Sequence, residues 1–144
     1  MYVHDILMTK GDRIITIRPD TTIDETSRLL AKHRIGAVLV TDEAEQIVGV
    51  ISERDIVAGL ASQGASVAGR SVADFMTRDV LTCTPSDSIA DIMGVMTTRR
   101  IRHLPVLDGG RLVGIVSIGD VVKSRLDETK LEVESLRDYV LAGR

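Results

Sequence analysis

Gly49-Val50-Ile51-Ser52-Glu53-Arg54-Asp55 returns 65 residues later as Gly114-Ile115-Val116-Ser117-Ile118-Gly119-Asp120. Each stretch is apolar up to the serine and changes character there. An apolar run that stops at Ser, with Asp three residues on, predicts a strand that ends as a helix begins. Two such junctions in one short chain predict a duplicated unit, and the flanking sequence supports this.

Met8-Thr9 recurs as Met76-Thr77, Thr16 and Pro19 as Thr82 and Pro85, Arg34-Ile35 as Arg100-Ile101, and Val48-Gly49 as Val113-Gly114. The offset drifts from 68 to 65 while the order holds. Chance matches would not stay collinear. The copies span residues 3–60 and 71–123, and the small residues between Ser62 and Arg70 suit a linker.

Each copy reads alike. A short extended piece (Arg13 to Ile17; Val80 to Thr84) leads through Pro19 or Pro85 to a helix. In the second copy Ile89, Ile92, Met93 and Met96 share one helical face. Thr22 with Glu25, and Ser88 with Asp91, supply capping chemistry at the helix starts. A hairpin follows: Ala37 to Thr41 with Gln46 to Ser52, then His103 to Leu107 with Arg111 to Ser117 around Asp108-Gly109-Gly110. The fold class expected is α+β: two βαββα units packed sheet to sheet with pseudo-two-fold symmetry, plus a C-terminal helical tail over 124–142. Two related clefts are expected at the seam.

Composition narrows the function. The chain has 144 residues, 44% of them apolar, enough for a core and too few for a (β/α)₈ barrel of roughly 250 residues. Aromatics are 2%, so stacking of bases on aromatic rings is not expected. The net charge of −3 argues against general nucleic-acid binding. No signal peptide is expected, and the apolar runs are strand-sized, well short of the roughly 20 residues of a membrane helix. Cys83 is the single cysteine, read as a core residue, and a reducing, cytoplasmic setting fits it. His4, His33 and His103 lack metal-ligand spacing, so no metal is expected. Gly-x-x-x-x-Gly-Lys-Ser/Thr and Gly-x-Gly-x-x-Gly are absent, and no nucleophile–base constellation stands out.

The duplicated Gly-h-h-Ser-x-x-Asp motif (h apolar), the preceding Ile6-Leu7-Met8-Thr9 and Asp74-Phe75-Met76-Thr77, and Arg100-Ile101-Arg102-His103-Leu104-Pro105-Val106 together resemble a tandem pair of CBS domains, the cystathionine-β-synthase-type or Bateman module. The resemblance covers residues 3–123. Two readings of Ser-x-x-Asp stay open on the residues alone. It is a helix cap, or it is a ligand site in which the helix N-terminus attracts phosphate. The resemblance favours the second, with Asp gripping a ribose and Ser contacting phosphate.

It further implies that adenine lies between aliphatic side chains against backbone groups. One cleft would hold Ser117 and Asp120 with Ile115 and Gly119 of the same motif, and with Thr9, Ile14, Ile35, Gly36 and Ala37. The other would hold Ser52, Arg54 and Asp55 with Thr77, Val80, Ile101, Arg102 and His103. Arg102 and His103 are expected at phosphates, since Arg suits bidentate contact. Arg99 and Arg100 are either further phosphate contacts or cations complementing a helix C-terminus. Copy one has Lys32-His33-Arg34 instead, so the clefts are expected to differ in affinity.

The tail carries Leu126, Val133 and Val140 seven apart, with Leu136 between. It either folds back on its own domain or packs across a homodimer. The function implied is a stand-alone regulatory module, without catalysis, that binds AMP, ADP, ATP or NAD(H) and signals to a protein partner in trans. The alternatives are an interaction protein with vestigial clefts or a binder of S-adenosylmethionine. Inosine-monophosphate dehydrogenase carries such modules beside a catalytic barrel, which is absent here.

Overall fold

The computed structural model describes residues 1–11 and 13–143. In chain order the elements are α1 (Val3–Lys10), β1 (Thr16–Ile17), α2 (Ile23–His33), β2 (Ala37–Thr41), β3 (Ile47–Ser52), α3 (Glu53–Gln63), α4 (Ile89–Arg99), β4 (His103–Asp108), β5 (Arg111–Ser117) and α5 (Ile118–Ala142). Short 3₁₀ turns at Gly64–Gly69 and Val72–Asp74 lie between α3 and α4. Mixed helix and strand in two similar units with a C-terminal helix is the α+β class read from the sequence.

The compact units are a central one, Ile15–Leu81, and a terminal one, Met1–Ile14 with Thr82–Arg144. Each therefore takes its leading segment from the opposite sequence repeat. In the terminal unit, Val3 N–H donates to Asp87 C=O and His4 N–H to Pro85 C=O, both at 2.9 Å. In the central unit the corresponding residues do the same. Val72 N–H donates to Thr21 C=O at 2.8 Å and Ala73 N–H to Pro19 C=O at 3.1 Å.

In the central unit, β1 pairs parallel with β2, and β2 antiparallel with β3. Val38, Val40 and Ile51 from this sheet pack with Ile23 and Leu30 of α2 and Ile56 of α3. Val67, Val72 and Met76 join them. The stretch read as a linker is thus partly core: Val67 is fully buried. One apolar side chain among small residues was enough to anchor a 3₁₀ turn.

In the terminal unit, β4 and β5 form the antiparallel hairpin. Its loop is the pair Gly109-Gly110, both with positive φ (58° and 82°), as a tight two-residue hairpin turn requires. The extended piece expected at Val80 to Thr84 narrows to a single parallel bridge, Cys83 to Val106. Ile89, Ile92 and Met96 are buried as the periodicity predicts, with Met93 half-buried at the edge of that face. The tail is no separate element, because α5 runs unbroken from Ile118 to Ala142. From Arg125 to Gly143 its residues are exposed except the half-buried Glu128, so no apolar face there is covered by a fold-back.

Candidate functional site

Both Ser-x-x-Asp motifs form reciprocal capping boxes. Ser52 Oγ accepts from Asp55 N–H at 3.2 Å, and Asp55 Oδ2 accepts from Ser52 N–H at 2.9 Å. Ser117 and Asp120 repeat this at 3.2 and 2.9 Å. Each box satisfies two amides that a helix start leaves without intrahelical partners. Thr22 and Ser88 also cap their helices, but one-sidedly, by accepting from Glu25 and Asp91 N–H. The first strand of each hairpin closes the junction. Ala37 lies opposite Ser52 and His103 opposite Ser117, while Gly36 and Arg102 carbonyls accept from Glu53 and Ile118 N–H.

The glycine of each motif makes room for the leading segment. A Cβ at Gly114 would lie 2.6 Å from Leu7 Cδ2, and one at Gly49 would lie 2.6 Å from Met76 Sδ and 3.0 Å from Thr77 C=O. Thr77 pairs with Val50 through two 2.9 Å backbone bonds. These contacts bring Thr77 into the same unit as Ser52 and Asp55, and Thr9 into the same unit as Ser117 and Asp120.

In the terminal unit, Thr9 and Asp120 line one open cavity of about 300 Å³ together with Asp5, Lys10, Lys123 and Asp127. Lys10 was not among the residues singled out from sequence, yet its ammonium reaches the motif twice. Nζ lies 2.7 Å from Asp120 Oδ2 and 2.9 Å from Ile115 C=O. Burial disfavours the charged Asp120 carboxylate, but the Lys10 ammonium and the Ser117 donors together outweigh it and hold the pKa below the ordinary carboxylate value. The signal that could have found Lys10 is its place directly after Met8-Thr9, mirrored by Arg78 after Met76-Thr77.

The two copies part here. Arg78 donates to Ala73 C=O at 2.9 Å instead of reaching Asp55. Asp55 Oδ2 takes Ser52 Oγ at 3.0 Å, and among the described residues no ion pair holds it. The two Ser-x-x-Asp junctions thus differ, each within its own unit, at a position outside the Arg-His pair.

The remaining candidates fall as follows. Ile14, Ile101, His103 and Ile115 are half-buried in the terminal unit; Gly119 and Arg102 are exposed there. Ile35, Gly36 and Val80 are half-buried in the central unit, Ala37 is buried, and Arg54 and Thr77 are exposed. Arg99 ends α4, and Arg100 follows in the left-handed conformation at φ 54°, as Arg34 does after α2. Cys83 is buried, and burial, aided by Asp87, pushes its thiol pKa up to about 12. It is a buried core thiol, protonated at neutral pH. Among the described residues, no group of three His, Cys, Asp or Glu side chains could hold a metal, and no helix is long and apolar enough to cross a membrane.

Comparison with known proteins places the duplicated sequence in a family. The family model of the CBS domain matches residues 3–62 and again 72–127. The chain belongs to the CBS-domain family. It is similar to the CBS-domain protein ATU1752 of Agrobacterium tumefaciens, with 44% identity, a TM-score of 0.85 and coverage of 87% of this chain and 99% of that one. The CBS domain pair of protein MJ0100, crystallised with 5′-methylthioadenosine and S-adenosyl-L-methionine, is 31% identical at a TM-score of 0.77, covering 90% and 98%. CBSX2 crystallised with AMP is 28% identical at a TM-score of 0.72, covering 89% and 98%. CBS pairs thus bind adenosine-containing ligands in relatives of this chain.

Proposed function

We propose that the chain is a regulatory CBS pair that binds adenine nucleotides (AMP, ADP or ATP, with NAD(H) as a dinucleotide of the same class) and has no catalysis of its own. The observation that carries this is shared by both capping boxes. Among the described residues, the hydrogen bonds to the Asp55 and Asp120 side chains fall on Oδ2, which leaves Oδ1 for a ligand hydroxyl at a helix N-terminus. Asp120 and Asp55 grip ribose, with Ser117 and Ser52 at phosphate; Thr9 lines the cavity that Asp120 lines, and Thr77 pairs with Val50 on the strand that leads to Ser52. Arg102, His103 and Arg54 are the further phosphate contacts. The adenosine ligands of MJ0100 and CBSX2 support the ligand class.

Binding that favours one conformation shifts the chain's equilibrium, and a protein partner in trans would read that shift. A homodimer is the proposed assembly. Leu126, Val133 and Val140, each more than half exposed along α5, supply its apolar face. The single buried thiol suits a reducing cytoplasm.

The test is calorimetric titration of AMP, ADP, ATP, NADH and S-adenosylmethionine into the wild type, Asp55→Ala and Asp120→Ala. Adenine-nucleotide binding that one substitution abolishes is expected. Absence of heat and of thermal shift with every ligand would reduce both motifs to helix caps.

A further inference from the structure

Asp120 and Asp55 occupy the same place in the duplicated motif, but among the described residues only Asp120 is held by a cation. Lys10 comes from α1, 110 positions away in sequence, and binds both the Asp120 carboxylate and the Ile115 carbonyl at the foot of the same motif. The Lys10 side chain stays 39% exposed and lines the cavity that Asp120 lines. A ligand held by Asp120 therefore meets the Lys10 ammonium.

Charge in that cavity is finely divided. Its lining carries the carboxylates Asp5, Asp120 and Asp127 against the ammonium groups of Lys10 and Lys123 and the Met1 α-ammonium, which is paired with Glu128. Asp5 already accepts from Tyr2 N–H at 2.9 Å. Without Lys10, three carboxylates would face the Lys123 ammonium, with the Met1 α-ammonium already engaged by Glu128, a field that disfavours phosphate. With Lys10, Asp120 is neutralised and the ammonium, bonded to Asp120 and Ile115, keeps a further donor. A Lys ammonium has three donors on a flexible stem, so it can keep a carboxylate and still take a phosphate oxygen.

We propose that Lys10 is the charge selector of the Asp120 site, favouring a phosphate-bearing adenosine ligand over one bearing a sulfonium. This rests on the reading of that motif as an adenosine site. The central unit has no such selector, because Arg78 is turned to the Ala73 carbonyl.

The experiment confines binding to the Asp120 site with Asp55→Ala and adds Lys10→Met or Lys10→Arg in the full chain. AMP, S-adenosylmethionine and 5′-methylthioadenosine, which has neither phosphate nor sulfonium, are titrated into each by calorimetry. Lys10→Met is expected to weaken AMP by about tenfold or more, the scale of a lost charged hydrogen bond. Methylthioadenosine should hold its affinity, S-adenosylmethionine should hold or gain, and Lys10→Arg should retain most AMP binding. Parallel weakening of AMP and methylthioadenosine would make Lys10 a mere brace for Asp120 and overturn the assignment. Unchanged AMP affinity would overturn it too. If Asp55→Ala binds none of the three while the wild type binds, the selector fails but the adenosine reading survives. If the wild type binds none, both fail.

Discussion

Leu7 occupies the space that a side chain at Gly114 would need, with Cδ2 only 2.6 Å from where that Cβ would stand. At Gly49 the intruders are Met76 Sδ at 2.6 Å and the Thr77 carbonyl at 3.0 Å. The difference is one of compliance. Leu7 Cδ2 and Met76 Sδ lie toward the free ends of flexible side chains, whereas the Thr77 carbonyl is fixed by its pairing with Val50. Gly114→Ala is therefore expected to cost about 1 kcal/mol and Gly49→Ala about 2–3 kcal/mol, within the usual range for overpacking. Urea denaturation of the two variants checks the order; equal costs would contradict it.

Acid should find the Lys10–Asp120 pair. The Asp120 pKa is lowered on folding, so its contribution to stability is complete above its unfolded pKa and is lost as pH falls through the folded one. Lys10→Met removes the largest opposition to burial and raises the folded pKa. The acid-unfolding midpoint, followed by circular dichroism, should move to higher pH in that variant. No movement would mean that Ser117 alone holds the carboxylate.

Arg34 and Arg100 both end helices in the left-handed region, at φ 54°. An L-residue with a Cβ is strained there by about 1–2 kcal/mol, and glycine is not. Glycine also loses more entropy on folding, so Arg34→Gly and Arg100→Gly should each stabilise by a net amount of about 0.5–1 kcal/mol. Thermal unfolding measures it, and a lowered Tm in both variants would show that these arginine side chains contribute more than their backbone costs.

The far half of α5 offers a fourth test. Val133→Glu places charge on a residue that is 51% exposed in the single chain, so the folded unit should tolerate it. Self-association should suffer, by about tenfold or more in Kd, if this face is the dimer interface, since a buried seam does not accept an unpaired carboxylate. Sedimentation equilibrium of the full chain reads this directly. Unaltered association would remove α5 from the interface.

Most of the fold was legible because its signals are local. Ser52 and Ser117 announce their helices within three residues, and Gly109-Gly110 announces a hairpin within two. What was hidden is non-local. Collinear repeats show that two copies exist, but they do not show which copy a leading segment packs on. Met8-Thr9 belongs to the first copy by order and to the second by contact. Lys10 is hidden for the same reason: its place after Met8-Thr9 marks it as part of the repeat, but its partner lies 110 positions away. Val67 was masked by its small neighbours, since one buried valine makes no periodic pattern.

The exchange of leading segments also bears on how such a chain could arise. A gene with a single repeat would encode a polypeptide whose own first segment has no place on its own sheet. Two such polypeptides could close each other, each lending what the other lacks. Fusing the two reading frames makes that reciprocal loan intramolecular and independent of concentration. It also leaves the copies free to differ, as they do where Lys10 meets Asp120 and Arg78 meets the Ala73 carbonyl.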